Sequence, residues 1–397
     1  MNDKNRKIEF LYTNIGRGHP FYLDGIIDTL IRRGAIKIMR GESNVFEVST
    51  GLARLGWKTA DWFYKRGSSS GFLGVFYNLV RAGYNYDRPD LMLKFMGRDI
   101  HKKFSASPHP LLVAHPILAG ILKNKKDLIY QHGEVVAPAA ALVTGLSKVL
   151  VPTVEMAQFF MKAGYEEQAV FVSGLCIEPA LVKIAGDCYE ARLKRLTGQE
   201  PLTGAFFSSG AEPKRHIKKL AAAAVSAVHY GGRAVIFARY EGRLARETEQ
   251  VFKHNQLMLP ILDTGSLIPS ELPPALLVTY RTRREENIFT AKLFKYFDYF
   301  VAPAHERTNW ALGLGLPVII VEPAIGPFAP LNREKLLQSG VAALLKNSEQ
   351  ALMFGLTINR IRRENRLLER ARAGWGKFDI KGFDNIAGFL VETYGSR

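Results

Sequence analysis

The chain has 397 residues, 54 of them Lys or Arg against 37 Asp or Glu, for a formal net charge of +17. Hydrophobic residues at 47% and charged residues at 23% exclude intrinsic disorder, and just two cysteines, Cys176 and Cys188, exclude a disulfide scaffold and a multi-cysteine zinc site. No apolar run approaches the roughly 20 residues needed to span a bilayer, the polar start Met1–Lys7 shows no secretory signal, and the expectation is a cytoplasmic protein of two domains with an anionic partner: nucleic acid, a lipid surface or a phosphorylated small molecule.

Short β-branched runs read as strands at Ile8–Thr13, Leu111–Ala114, Leu128–Gln131, Lys148–Val151 and Val170–Ser173. A second series follows at Gly204–Phe207, Ala234–Ala238, Leu276–Thr279, Tyr299–Ala302 and Pro317–Val321. Between them lie helical patterns, among them Phe21–Arg33, Val154–Ala163, Pro213–His229, Glu285–Lys295 and Asn332–Ser339. Continuous apolar strands belong to sheets covered on both faces, and their alternation with helices is the βαβ signature of a parallel α/β fold. The segment between the two series carries charge and prolines, a helix at Leu181–Leu196 and no strand. Two Rossmann-like domains with parallel sheets facing a central cleft are therefore expected, with ligands beyond the carboxyl ends of the strands.

One stretch breaks the rhythm. Residues 52–104 hold 11 aromatic side chains and 10 Lys or Arg against 4 Asp. Aromatics interleaved with cations suit the interface of an anionic membrane; packing of the same rings on the domain's own core is the alternative. A second basic cluster, 359–372, has 6 Arg against 2 Glu and reads equally as a solvated helix face.

The loops after the strands hold the candidate chemistry. Residues 13–20 read TNIGRGHP, in which Gly16 and Gly18 let backbone approach a ligand and the following helix offers free N–H groups to an anion. The third glycine of a dinucleotide fingerprint is missing, so a nicotinamide cofactor is not expected. His19 is a candidate general base. His115 and His132 end two further strands, with Glu134 beside the second, so three histidines occupy equivalent positions in a parallel sheet. Their spacing matches no metal motif, and no metal is assigned. In the second half, Ser208, Ser209 and Gly210 form a small polar turn before a helix, a plausible phosphate cradle. Arg307 and Thr308 stand where the next strand meets its helix, preceded by Glu306.

The order of these features resembles that of the GT-B glycosyltransferases, within them the group of monogalactosyldiacylglycerol synthases, processive diacylglycerol glucosyltransferases and the MurG enzyme. The similarity runs from the GRGH turn at 16–19 through AHP at 114–116 and SSG at 208–210 to GLP at 315–317 and the segment from Asn332 to Gly340. It implies an acceptor domain at 1–177, an interdomain segment at 178–203, a donor domain at 204–373 and a final helix, 374–397, crossing back to the first. It further implies metal-independent, inverting transfer without a cofactor, from a nucleotide sugar, usually UDP-linked, to a lipid or lipid-linked acceptor at the inner membrane face, with no nucleic acid as partner.

Carried residue by residue, the resemblance makes His132 the base, six residues before Pro138, where the lipid galactosyltransferases have an aspartate; His19 and Glu134 compete for the role. Gly16, Gly18 and His115 would shape the acceptor side. Ser208, Ser209, Gly210, Arg307, Thr308 and Asn332 would line the donor. The family glutamate that holds the ribose, seven residues before the proline of GLP, is Trp310 here. A tryptophan cannot accept two ribose hydroxyls, so Glu306 or Glu322 takes over, the donor differs, or the donor site is degenerate. A sugar-nucleotide epimerase of the same fold and a non-catalytic binding protein are the alternatives.

Overall fold

The computed structural model describes residues 7–13, 18–67, 86–305 and 307–395. Two compact units divide the chain: the first holds the described residues up to 65, 86–179 and 378–395, and the second holds 180–377.

In the first unit, β1 (Ile8–Tyr12) leads to α1 (Gly18–Arg32) and β2 (Met39–Asn44). Next come α2 (Gly51–Gly67), α3 (Leu91–Met96) and α4 (Arg98–Phe104), then β3 (Leu111–Val113) and α5 (Pro116–Ile121). The unit continues through β4 (Leu128–Gln131), β5 (Lys148–Val151), α6 (Val154–Lys162) and β6 (Val170–Val172). All strands pair in parallel, in the order β2-β1-β3-β4-β5-β6. The side-chain period of two sends Leu11, Val113, Tyr130 and Val151 to one face, with Trp57, Ile100 and Phe160. Phe10, Leu112, Ile129 and Leu150 go to the other, with Phe21, Ile26 and Leu30 of α1. Both faces are apolar, as continuous hydrophobic strands require.

The described part of the aromatic excursion is tied to this core. The Trp57 indole donates to the Met96 carbonyl at 3.0 Å, and Gly56 lets α2 lie so close to α3 that a Cβ there would come within 2.7 Å of Met96 Cγ. Residues 68–85, also part of the excursion, lie outside the described residues.

The second unit begins with α7 (Ala185–Thr197), then β7 (Thr203–Phe207), α8 (Lys214–His229), β8 (Arg233–Arg239) and α9 (Arg243–His254). It runs on through β9 (Ile261–Leu262), β10 (Ala275–Tyr280), α10 (Arg283–Leu293), β11 (Tyr299–Ala302) and α11 (Thr308–Gly313). It closes with β12 (Val318–Val321), α12 (Ala329–Gln338), β13 (Ala342–Leu345), α13 (Phe354–Arg363) and α14 (Arg366–Ala373). Its parallel sheet has the order β13-β12-β11-β7-β8-β10-β9. Arg192 of α7 is fully buried, its guanidinium donating to the carbonyls of Phe297 at 3.0 Å, Leu314 at 2.9 Å and Gly315 at 3.1 Å. One turn on, Arg195 pairs at 2.7 Å with Asp298, whose other oxygen accepts the Thr203 N–H at 2.8 Å. A charge removed from water needs partners, and these contacts fasten α7 to the amino ends of β7 and β11.

The last helix, α15 (Gly382–Tyr394), packs in the first unit beside α1. Leu175 N–H donates to the Asp379 carbonyl at 2.7 Å and Gly382 N–H to the Leu175 carbonyl at 3.0 Å. Phe383 meets Phe21 edge-on at 5.6 Å, over Gly25. A Cβ on Gly25 would sit 2.2 Å from the Phe383 ring. Gly25→Ala is therefore expected to lower stability by about 1–3 kcal/mol through overpacking, in denaturant unfolding. Phe383→Leu should remove part of that penalty in a double-mutant cycle; purely additive effects would show that α1 and α15 do not meet here.

Candidate functional site

In an open parallel sheet the ligand crevice lies at the point where strand order reverses, beyond the carboxyl ends. In the first unit that point falls between β1 and β3. His19, in the first turn of α1, follows β1, and His115 follows β3; their rings are 4.1 Å apart between centroids.

Their hydrogen bonds define the neutral tautomers. His19 Nδ1 lies 2.9 Å from the Ala114 carbonyl, which only accepts, so Nδ1 carries the hydrogen and Nε2 the lone pair. His115 is the reverse: its Nδ1 accepts the Ile117 N–H at 3.1 Å, capping α5, so its hydrogen sits on Nε2. His19 is half-buried and His115 buried. Gly133 brings the end of β4 against α1, since a Cβ there would lie 2.2 Å from the Tyr22 ring.

His132 occupies different surroundings. It is 2% exposed, with Phe160 edge-on at 5.2 Å. Its Nε2 donates to the Val136 carbonyl at 3.1 Å, so its Nδ1 lone pair receives the Tyr130 hydroxyl at 3.2 Å. Burial pushes its pKa down to about 4. Both nitrogens serve the core. Glu134 is 8% exposed in the same loop. Gly18 opens α1, and Gly16 lies outside the described residues.

In the second unit the strand order reverses between β7 and β11. The Ser208–Gly210 turn leaves β7 there, and Arg307 and Thr308 follow β11; Glu306 lies outside the described residues. The Ser208 and Thr308 hydroxyls are buried without a hydrogen-bond partner among the described residues. Asn332 of α12 is fully buried and donates to the Ala304 carbonyl at 3.3 Å. Arg307 is turned inward: it pairs with buried Glu286 of α10, and its guanidinium lies 4.1 Å above the Phe207 ring and 5.5 Å from Trp310. Trp310 is 2% exposed among Phe207, Phe294 and Phe300 at 5.6–5.8 Å. It is a core residue. Glu322, at the end of β12, accepts the Ala324 N–H at 3.3 Å and faces Arg333 at 3.4 Å.

Two residues here escaped the sequence reading. Glu286 sits on the buried face of α10, where a carboxylate at the fourth helical position gives no cue. His216 is 1% exposed in the first turn of α8; its Nε2 donates to the Pro323 carbonyl at 2.8 Å, and its Nδ1 has no partner among the described residues. Burial lowers its pKa to about 4. A histidine three residues after a Ser-Ser-Gly turn and its proline, at a position the helical pattern turns inward, was the available signal. No group of three His, Cys, Asp or Glu that could hold a metal ion occurs among the described residues.

No family model and no curated protein matches the sequence. Solved structures do. UDP-GlcNAc 2-epimerase from Neisseria meningitidis bound to UDP-GlcNAc superposes with a TM-score of 0.56 at 10% identity, over 98% of this chain and 99% of that one. The Methanocaldococcus jannaschii UDP-GlcNAc 2-epimerase in complex with UDP-GlcNAc and UDP gives 0.51 at 12% identity, over 97% and 99%. The S. aureus MnaA–UDP structure gives 0.52 at 10%, over 98% and 96%. The chain has the GT-B fold. At these identities the likeness concerns fold alone.

The two buried histidines make a stability prediction. His132 and His216 have folded pKa values near 4 against about 6.5 unfolded. Between those values the unfolded state binds more protons, so stability is full above pH 6.5 and falls as pH drops. The slope approaches about 1.4 kcal/mol per pH unit for each histidine. Unfolding measured from pH 7.5 to 5 should show that loss, reduced in His132→Phe after allowing for its lower baseline. A flat profile would contradict the buried neutral histidines.

Proposed function

We propose that the protein is a nucleotide-sugar glycosyltransferase, taking a UDP-linked donor in its second unit and a lipid or lipid-linked acceptor in its first. The observation that carries this reading is His19: a histidine at the switch point of the first sheet, with Nδ1–H held by the Ala114 carbonyl and its lone pair on Nε2. That is what a general base needs. In the step we propose, Nε2 takes the proton of the acceptor hydroxyl as that oxygen bonds to the anomeric carbon. The anomeric carbon–phosphate oxygen bond breaks, and UDP departs with the electron pair, inverting the carbon. The helix N-termini after β7 and β11, with the Ser208 and Thr308 hydroxyls, favour the diphosphate charge. His115 orients the acceptor. His132 and Glu134 shape the loop behind, and Arg307 positions the donor wall through Glu286.

The lipid side of the proposal rests on α2 and α3. Leu55 is 56% exposed, Leu91 84% and Phe95 42%, among Arg54, Lys58, Lys94 and Arg98. Exposed apolar side chains set among cations suit an anionic bilayer surface. No helix among the described residues is long and apolar enough to cross a membrane.

A second reading, a sugar-nucleotide epimerase, is favoured by the fold likeness to epimerases solved with UDP-GlcNAc and UDP. Incubation with UDP-sugars alone separates the two: the transferase reading expects no epimerised sugar without acceptor, and its appearance would favour the epimerase. His19→Ala should cut turnover about 100- to 10,000-fold while UDP affinity stays the same; undiminished turnover would remove His19 from the role. Sedimentation with anionic vesicles at low salt should be lost in Leu55→Glu/Phe95→Glu, and unchanged sedimentation would refute the α2–α3 surface.

A further inference from the structure

The second basic cluster of the sequence, 359–372, forms the end of α13, the turn at Asn365 and most of α14. It borders a cavity of about 470 Å³ whose other wall is the carboxyl end of α7. α7 ends at Thr197, six residues before β7 starts, so the cavity lies at the amino edge of the second sheet. The length of β7, about 15 Å, separates this edge from the Ser208 turn. A volume of this order is that of a small-molecule site.

The lining is cationic and has donors to spare. Arg362 donates through Nη2 to the carbonyls of Arg195 at 2.6 Å and Gly198 at 2.8 Å, and through Nε to that of Leu196 at 3.4 Å. Capping of α7 accounts for these bonds, and Nη1 has no partner among the described residues. Capping does not account for Arg363. Its neighbours Arg360 and Arg366 both reach Glu364, at 4.0 and 3.3 Å, whereas Arg363 lines the cavity with no hydrogen bond or salt bridge among the described residues. The side-chain amides of Gln199 and Asn365 line it too and are equally without a partner there. Leu196 and Leu356 supply an apolar wall, and among the described residues no Asp or Glu lines the space. Behind the wall, the guanidinium groups of Arg192, Arg195 and Arg362 share the buried carboxylate of Asp298, so positive charge is in excess. Charge held away from water calls for an opposite charge nearby.

We propose that this cavity binds an organic phosphate, at a site separate from the crevices at the strand reversals. Arg363 is the anchor, and Arg362 Nη1 with the amides of Gln199 and Asn365 completes the donor set. That set exceeds what the two oxygens of a carboxylate engage, and the three terminal oxygens of a phosphate monoester match it. The organic part lies against Leu196 and Leu356. The site belongs to the second unit alone and does not depend on the transferase reading.

Calorimetric titration of the full chain tests this, with glucose 6-phosphate, glycerol 3-phosphate and AMP as probes and citrate, inorganic phosphate and glucose as comparators. At least one of the three organic phosphates should bind at one per chain, more tightly than any comparator, with affinity falling as salt rises. Arg363→Gln removes an exposed side chain and should weaken that binding at least tenfold. Leu356→Trp, which fills the cavity from its wall, should do the same. Arg372→Gln, an exposed charge of α14 outside the cavity, should leave affinity within twofold. Binding should persist with UDP in excess. Absence of binding by all three organic phosphates would overturn the proposal, as would tighter binding of citrate or inorganic phosphate. Unchanged affinity in Arg363→Gln, an equal loss in Arg372→Gln, or displacement by UDP would place the anion elsewhere and overturn it as well.

Discussion

Parallel strand pairing is the constraint on which the rest of this molecule depends. A parallel sheet cannot turn back on itself tightly, so each strand is followed by a crossover, usually a helix, that covers a face of the sheet. Both faces are then buried, as Leu11 against Phe10 and Val113 against Leu112 illustrate within single strands. All carboxyl ends also emerge on one edge, and there the backbone N–H groups of the following helices are left for a ligand. His19, His115, Ser208 and Thr308 stand on such edges because of this rule, not through any local preference.

Within each unit the strand order reverses once, and the candidate residues gather there. The two histidines at the β1/β3 reversal show how tautomer follows from second partners. A carbonyl fixes one ring with its hydrogen on Nδ1, and a helix N–H fixes the other in the opposite sense. His132, one strand over, has its two nitrogens satisfied by Tyr130 and Val136.

Much of the fold was legible in the sequence because central parallel strands are unbroken apolar runs. β1, β3 to β8 and β10 to β12 all stand where such runs predict strands, within a residue or two. β2, β9 and β13 were missed for physical reasons. β2 is an edge strand of sequence MRGESN with three exposed residues, β9 has two residues, and β13, AALL, carries as strong a helical preference as a strand one. The site was legible to the level of position only. Nothing in the order of residues tells that Arg307 would turn from the crevice to Glu286, or that Trp310 would close an aromatic cluster; both depend on neighbours about 20 or 100 residues away in sequence.

The proposed reading turns on whether the second unit receives a UDP-linked donor. A titration of the full chain with UDP, followed by calorimetry at pH 7.5, tests it most directly. The account predicts saturable binding of one UDP per chain, weakened by Ser208→Ala together with Thr308→Val at unchanged thermal stability. No measurable heat with UDP or any UDP-sugar would contradict it and leave a GT-B fold that has lost its donor.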